Sequence, residues 1–247
     1  MENITSRKNE YLLHLKKLAA SAAYRRACGE FLCDSPKLLD EALKWNAAIT
    51  AVISTNGVEI ADVRCVTVPE DVMASVSPMK TPQGVLFTCK MRSAEIPEKL
   101  PGQRYVVLDG VQDPGNVGTV LRTLDAFDAD GLILLADCAD PYSPKTVRAT
   151  MGAIFRRPVY TMTAREMKDL LDRSAIPLYG AALRRDTVDA REVNYCPSAI
   201  AIGSEGRGLT EKVLALCDKT IQIPMSPRCE SLNAAIAASV LLWESYR

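Results

Sequence analysis

The sequence is poor in histidine and has no closely paired cysteines, the residues from which most zinc sites are built. Its only histidine is His14, and no two of its eight cysteines are spaced as Cys-x-x-Cys. Structural zinc needs four ligands, drawn mostly from closely spaced cysteine and histidine. We therefore expect no metal site, and we interpret the cysteines as buried thiols of a protein from a reducing compartment.

The chain also lacks an excess of charge of either sign and lacks a long apolar run. Lys plus Arg equals Asp plus Glu at 30 each, so there is no global basic field, although local basic patches can still bind nucleic acid. Because no signal peptide or membrane-spanning run is visible, we expect a cytoplasmic protein without membrane association. The length of 247 residues suits one large domain or two ordinary ones.

A short apolar run that ends in a glycine-rich turn is the most informative stretch of the chain. Residues 199–202 are apolar, and Gly203, Gly206 and Gly208 follow. This pattern predicts a buried parallel strand whose exit faces a ligand. Glu205 lies inside the turn, where a carboxylate close to backbone amides suits binding or acid–base chemistry better than packing.

A second strand and an apolar helix complete this C-terminal region. Residues 221–223 are predicted to form a short strand that ends at Pro224. Ser231 and Asn233 precede a helix that runs to Trp243. Both are capping residue types, and one cap is enough, so the other is available for binding or catalysis. A helix that is apolar on all faces is normally buried, and we expect this one to be buried.

The rest of the chain alternates helices with strands. Residues up to about 89 indicate a small α/β unit, and prolines among charged residues then mark a boundary. We predict a first domain at 1–95, a linker at 96–103 and a second domain at 104–247.

The second domain opens with a strand–loop–helix–strand unit. The strands are predicted at 105–108 and 131–135, which favours a parallel sheet with ligands at the carboxyl ends of its strands. Asn116 is expected to cap the intervening helix. A further helix, with Ser143 as cap and Pro144 at its first position, is predicted to belong to the same domain.

Three motifs occur in order in this second domain. They are Asn116-x-Gly118-x-x-x-Arg122, Gly203-x-Glu205-Gly206-x-Gly208, and Ile223-Pro224-Met225 followed by Ser231-Leu232-Asn233. Together they resemble the motifs of the SpoU (TrmH-like) RNA ribose 2′-O-methyltransferases. Within residues 1–95, the residues Ser6-Arg7-x-Asn9, Arg25-Arg26, Gly29 and Phe31 resemble those of the RNA substrate-binding domain of the rRNA-modifying members. The chain departs from the family pattern where it has Asp34-Ser35 instead of Glu-Gly and Asp128 instead of Gly.

The resemblance implies a fold, a cofactor and an assembly that the residues alone do not predict. The implied fold is α/β, a parallel sheet whose C-terminal segment forms a trefoil knot, preceded by a small α/β substrate-binding domain. General rules disfavour knots. The implied assembly is a homodimer through the catalytic domain. S-adenosylmethionine is expected in the knot, bound largely by backbone groups of Gly203, Ile223 and Leu232, with no metal.

The resemblance also implies how the polar residues act. Arg122 is assigned to the attacking ribose 2′-hydroxyl, and because arginine loses its proton only above a pKa of about 12, we favour stabilisation of the developing alkoxide over action as a base. The residues implied to position Arg122 and the nucleotide are Asn116, Glu205, Ser231 and Asn233. The residues expected to contact RNA are Arg25, Arg26, Lys145 and Arg148.

The expected reaction is therefore 2′-O-methylation of RNA, with 23S ribosomal RNA as the expected substrate. A tRNA 2′-O-methyltransferase and a non-catalytic RNA-binding relative are the alternatives. A Rossmann-type NAD enzyme is disfavoured because Gly110, Gly115 and Gly118 do not have the G-x-G-x-x-G spacing.

Overall fold

The structure is a computed structural model that describes residues 2–92, 95–135, 137–184, 186–229 and 231–247. It divides into two compact units, one of residues 1–93 with 140–155 and the other of residues 94–139 with 156–247. Ser93 and Ala94, where the chain passes from one unit to the other, lie outside the described residues.

The N-terminal part of the chain forms a mixed sheet with helices. Its elements are β1 (Glu2–Asn3), α1 (Glu10–Ala20), α2 (Ala22–Cys28), β2 (Glu30–Asp34), α3 (Pro36–Lys44), β3 (Ile49–Ser54), β4 (Arg64–Thr67), α4 (Glu70–Val76) and β5 (Val85–Lys90). The strand order within the described residues is β1-β4-β3-β5-β2, with β5 antiparallel to both of its neighbours. Leu12, Leu15 and Leu18 of α1 are fully buried, as their helical spacing predicts.

The rest of the described chain contributes the following elements. They are β6 (Arg104–Asp109), α5 (Pro114–Ala126), β7 (Gly131–Leu134), α6 (Pro144–Thr150), β8 (Val159–Thr161), α7 (Ala164–Arg173), β9 (Leu178–Ala181), β10 (Val188–Asp189), β11 (Ser198–Gly203), α8 (Glu211–Leu214), β12 (Lys219–Gln222) and α9 (Ala234–Tyr246), with 3₁₀ turns at Ala153–Phe155 and Ala190–Glu192.

The second unit is built on a sheet in which each described pairing is parallel. Its strand order is β10-β12-β9-β11-β6-β7-β8. The central strands β6 and β11 are almost continuously apolar and buried, as expected for a parallel sheet covered on both faces. This confirms the predicted α/β class and its parallel sheet.

Residues 140–155 pack within the first unit, although the sequence pattern suggested that their helix belongs to the second domain. The ring of Tyr142 lies 4.8 Å from that of Phe31, and Phe155 lies 6.3 Å from the same ring. An ion pair between Arg148 and Asp34 joins α6 to β2. Local periodicity predicted helix α6, but it carries no information about which sheet a helix packs against.

Arg25, expected to contact RNA, is instead an internal residue of the first unit. It is only 3% exposed, and its Nη2 lies 2.5 Å from Oδ2 of Asp140. Its Nη1 also donates to the carbonyl oxygen of Leu18 at 2.5 Å. A guanidinium that is buried and satisfied in this way stabilises the unit and does not face RNA, so the prediction for Arg25 was wrong. The neighbouring Arg26 is exposed.

Replacing Arg25 by methionine should lower the free energy of unfolding by about 2–3 kcal/mol, because it leaves the Asp140 carboxylate without its partner. The matched control is Arg26→Met, for which we expect a change within about 0.5 kcal/mol. Urea unfolding followed by circular dichroism measures both. Equal midpoints for the two variants would show that the buried pair contributes no stability.

The two departures from the family pattern both fall on backbone positions that favour glycine. Ser35 has φ 99° and Asp128 has φ 53°, a left-handed range that costs other residues free energy. Each side chain has compensating contacts. The Ser35 hydroxyl caps α3 by accepting from the N–H of Leu38, and the Asp128 carboxylate pairs with Arg157 at 2.6 Å, which lowers the pKa of Asp128.

Asp34 and Arg148 form a pair that the sequence did not predict. The Asp34 side chain is 3% exposed and that of Arg148 is 33% exposed. Burial raises the pKa of the Asp34 carboxyl, while the Arg148 guanidinium acts in the opposite direction. The Asp34 carboxylate therefore partly neutralises the charge that Arg148 could offer to a phosphate.

Helix α9 is less buried than its composition predicts. Ala234, Ala235 and Leu241 are buried, but Trp243 is 54% exposed and Ile236 is 52% exposed. Within this chain, helix α9 therefore keeps one apolar face exposed.

The cysteines also depart from the expectation of uniform burial. All eight are free thiols, of which Cys33 and Cys89 are buried while Cys28, Cys196 and Cys229 are exposed. Among the described residues, none of the helices is long and apolar enough to cross a lipid bilayer.

Candidate active site

The site lies at the carboxyl ends of parallel strands in the second unit, where sheets of this class bind ligands. Strand β11 ends at Gly203, directly opposite Asp109 at the end of β6. A pocket of about 230 Å³ opens beside these strand ends. Its walls come from the ends of β9, β11 and β12, from the loop that precedes α9, and from the first turn of α9.

The three residues predicted to bind a cofactor all line this pocket. Gly203, Ile223 and Leu232 come from three separate segments of the chain. Apolar side chains that were not predicted, Met225 and Ala237 among them, complete the lining. Single small or flexible apolar residues carry little sequence signal, so only the fold identifies them.

The glycine-rich turn is held by backbone hydrogen bonds. The N–H of Ser204 donates to the Gly208 carbonyl at 3.2 Å, and the Gly208 N–H donates to the Ser204 carbonyl at 2.8 Å. A Cβ at Gly203 would lie 1.9 Å from the carbonyl carbon of Gly208. Only glycine therefore fits where the turn folds back on β11, and the turn forms one edge of the pocket.

Asp109, which sequence reasoning did not single out, anchors the far side of this turn. The residue is 6% exposed, and its carboxylate accepts a hydrogen bond from the N–H of Thr210 at 2.7 Å. Thr210 is also the N-cap of α8. Asp109 could have been identified from the sequence, because it is an aspartate at the end of a strand that is predicted to be buried.

Asn116 does not cap helix α5. The N-cap is Asp113, whose side chain accepts from the N–H of Asn116. Since the cap position is already filled, the Asn116 amide is left to project from the first turn, where it donates to the carboxylate of Glu205. The prediction that Asn116 is a cap was wrong. Because its side chain does not cap the helix, the motif that contains Asn116 can contact the motif that contains Glu205.

Asn233 is the N-cap of α9 and also contacts Asn116. Its Oδ1 accepts from the N–H groups of Ala235 and Ile236 at 2.9 and 3.3 Å. Its Nδ2 donates to Oδ1 of Asn116 at 3.3 Å. Asn233, Asn116 and Glu205 therefore form a continuous hydrogen-bonded chain, which we call the amide–carboxylate chain, across residues up to 117 positions apart in the sequence.

Ser231 is the capping candidate that the helix does not use. It lines the pocket, and its carbonyl accepts a hydrogen bond from the Cys229 thiol at 3.2 Å. Its side chain is therefore not needed to begin α9, as expected for one of the two capping residues.

Arg122 lies on α5 outside the pocket lining and outside the amide–carboxylate chain. It is exposed, six positions and so about 9 Å along the helix axis from Asn116. Within the described ranges, its guanidinium has no hydrogen-bond or ion-pair partner. The structure thus brings Asn116, Glu205 and Asn233 together but leaves Arg122 directed at solvent, available to a ligand that is not part of this chain.

Comparison with known proteins places these features in one family. The family model described as the SpoU rRNA Methylase family matches residues 103–243, more than half of the chain. The Bacillus subtilis (strain 168) protein named 23S rRNA (guanosine(2553)-2′-O)-methyltransferase RlmP is 32% identical over 250 residues, which cover 98% of each chain.

Two solved structures with bound AdoMet (S-adenosylmethionine) are similar over nearly the full length. The rRNA methyltransferase from Sinorhizobium meliloti superimposes with a TM-score of 0.88 at 29% identity, covering 99% of this chain and 97% of that one. The SpoU methyltransferase AviRb from Streptomyces viridochromogenes gives a TM-score of 0.88 at 26% identity, covering 97% and 98%. The chain is a member of the SpoU rRNA methylase family.

Proposed function

We propose that the protein transfers a methyl group from S-adenosylmethionine to a ribose 2′-hydroxyl of ribosomal RNA, with 23S rRNA as the substrate. The observation that carries this proposal is the amide–carboxylate chain beside the pocket. It joins three separate motifs at the edge of one cavity, and Glu205 and Ser231 also line that cavity.

The lining of the pocket suits the cofactor chemically. Gly203, Ile223 and Leu232 would bind it, because the glycine turn leaves backbone groups uncovered and the two apolar residues suit a flat aromatic ring. When bound, S-adenosylmethionine supplies a methyl group on a positively charged sulfur. The Cβ clash at Gly203 explains why a backbone edge, and not a side chain, forms this wall.

The chain's own residues contribute position and charge. In-line displacement depends strongly on the orientation of the two reactants, and the hydroxyl must lose its proton as it attacks. Arg122, which carries a permanent positive charge, stabilises the negative charge that develops on the ribose oxygen. Asn116, held between Glu205 and Asn233, fixes the first turn of the helix that carries Arg122.

Asn116→Ala should lower kcat about 100-fold, because it breaks the amide–carboxylate chain at its middle member and small displacements cost that much. Affinity for S-adenosylhomocysteine should change less than about threefold, since Asn116 is not part of the pocket lining. Steady-state methyl transfer and calorimetry measure the two quantities.

Asn194→Ala, at an exposed asparagine in the same unit, serves as the control and should keep full activity. A fall in cofactor affinity that matches the fall in kcat would instead assign Asn116 to cofactor binding.

Ribosomal RNA is favoured as substrate by the near-complete match to the Bacillus subtilis relative named for 23S rRNA methylation. We also propose a cytoplasmic location, where a protein that acts on ribosomal RNA would meet its substrate. The proposed phosphate contacts that remain once Arg25 is excluded are the exposed Arg26 and Lys145 and the partly exposed Arg148.

The substrate is tested with labelled S-adenosylmethionine and RNA from a strain that lacks the gene. We expect label in 23S rRNA and none in a parallel reaction with tRNA. Label confined to tRNA would leave the methyltransferase standing and overturn the rRNA substrate. No label in either RNA would favour the non-catalytic RNA-binding alternative.

We also propose a homodimer through the open face of α9. The exposed residues of that face are Ile236, Val240, Trp243 and Tyr246, and Phe127, which directly follows α5, packs against two of their rings at 5.7 and 5.9 Å. A second copy of the chain would cover this face by symmetry. The trefoil knot, and the division of the chain into an RNA substrate-binding part and a catalytic part, belong to the same proposal, with residues 140–155 assigned to the first part.

Trp243→Glu should convert the dimer to a monomer, because it places a charge in the centre of the apolar face. Sedimentation velocity at micromolar concentration measures the change. Leu43→Glu serves as a control, since Leu43 is similarly exposed at 43% but belongs to the first unit. A wild-type protein that sediments as a monomer would contradict the proposal.

A further inference from the structure

A cavity of about 240 Å³ in the first unit is lined by aromatic rings that the methyl-transfer site does not use. Its floor consists of the buried Phe31 and Phe155 with the half-buried Tyr142. Trp45, at the carboxyl end of α3, lies at its mouth and is 48% exposed. A half-exposed tryptophan beside a ring-lined cavity offers a flat surface on which another ring can stack.

The same cavity carries positive charge and no negative charge. Lys90 and Arg92 line it, and no residue of its described lining is acidic. The Nζ of Lys44 lies 6.0 Å from the centre of the Trp45 ring. The chain as a whole has equal numbers of acidic and basic residues. Lys44 and Lys90 therefore give this aromatic cavity a local positive charge that suits an anionic partner.

We propose that this cavity binds an unstacked nucleobase of the RNA substrate, with Trp45 as the stacking surface and Lys44 and Lys90 as contacts to the flanking phosphates. This inference rests on the proposed function, which supplies RNA as the partner. Sequence-tolerant binding of single-stranded RNA uses this combination of aromatic faces and a basic surface.

The cavity is therefore expected to bind single-stranded RNA in preference to duplex RNA. Bases in a duplex are stacked on one another, and their faces are unavailable to a protein ring, whereas bases in loops and bulges can be splayed out. We expect the first unit to favour a single-stranded segment near the methylated nucleotide, and duplex RNA to bind only through phosphate contacts.

The test uses the full-length protein and a 5′-labelled single-stranded RNA of about 20 nucleotides, with a duplex of the same sequence for comparison. Trp45→Ala should weaken binding of the single strand about tenfold, the loss of one stacked base, and should leave duplex binding unchanged. Lys90→Gln should lower the slope of log K against log salt by about 0.7. Leu43→Ala, at an exposed apolar residue on the same helix, should have no effect.

Tryptophan fluorescence tests the stacking directly. The chain has two tryptophans, Trp45 and Trp243. If the single strand quenches the fluorescence of the wild type but not that of Trp45→Phe, the quenched tryptophan is Trp45. Unchanged affinity of Trp45→Ala together with quenching that persists in Trp45→Phe would overturn the proposal.

The same protein preparations separate this proposal from the methyltransferase. If S-adenosylhomocysteine binds and methyl transfer proceeds but Trp45 has no effect, the nucleobase cavity is wrong and the proposed function stands. If Trp45-dependent RNA binding is present but no methyl transfer occurs, the cavity stands as an RNA site and the proposed activity fails.

Discussion

Arg122→Ala is expected to lower kcat about 1,000-fold while leaving the fold and the affinity for S-adenosylhomocysteine unchanged within about threefold. The side chain is exposed, and among the described residues it has no partner that its removal would leave unpaired. The loss should therefore appear only when charge develops on the ribose oxygen, which is a transition-state effect.

Single-turnover methyl transfer at saturating RNA measures this effect. Arg122→Lys is the matched variant, because it keeps a positive charge without the planar guanidinium, and it should recover part of the lost rate. If Arg122 acted by binding RNA alone, the alanine variant would raise KM and reach the wild-type rate at saturation. Full activity of Arg122→Ala would remove this residue from the mechanism.

Gly203→Ala is expected to abolish cofactor binding and to lower the free energy of unfolding by about 3 kcal/mol. The new Cβ would lie 1.9 Å from the Gly208 carbonyl carbon and 2.2 Å from the Leu209 nitrogen. Both contacts are with backbone, so the turn must move away from β11, and the pocket edge moves with it.

Gly206→Ala is the control for this change, because Gly206 lies in the same turn but has room for a side chain. A Cβ at Gly206 would have no atom within 4 Å, and its backbone does not have a left-handed φ. This variant should bind S-adenosylhomocysteine within about twofold of wild type. Calorimetry and thermal unfolding report the two effects. Normal cofactor binding by Gly203→Ala would show that the turn does not form the cofactor site.

Much of the catalytic unit could be predicted because its signals are local. The apolar run before Gly203 and the strand before Pro224 predicted parallel strands, and the structure has β11 and β12 at these places. The glycine turn could be identified as a site because a run of glycines around a carboxylate has little use in packing.

The contacts that define the site could not be predicted from local patterns. Asp113 and Asn116 are both capping types within one turn, and the sequence does not show that Asp113 is the cap while the Asn116 amide donates to the distant Glu205. Arg25 presented the same problem, because its partner Asp140 lies 115 positions away, and burial of a charge depends on that partner.

The open face of α9 illustrates a third limit. Hydrophobicity on all sides predicted burial, but it does not distinguish a core of the same chain from a surface covered by a second chain. Trp243 is exposed in the single chain because the other faces of α9 already contact α5 and β11.

The most direct test of 2′-O-methyl transfer is to identify the methylated nucleoside itself. Ribosomal RNA from the deletion strain is treated with the protein and S-adenosylmethionine carrying a deuterated methyl group, then digested completely and separated by mass spectrometry. We predict that the label appears in one 2′-O-methylnucleoside, with the added mass on the ribose fragment, and that it is absent with Arg122→Ala. A label on the base fragment would contradict ribose methylation by this site.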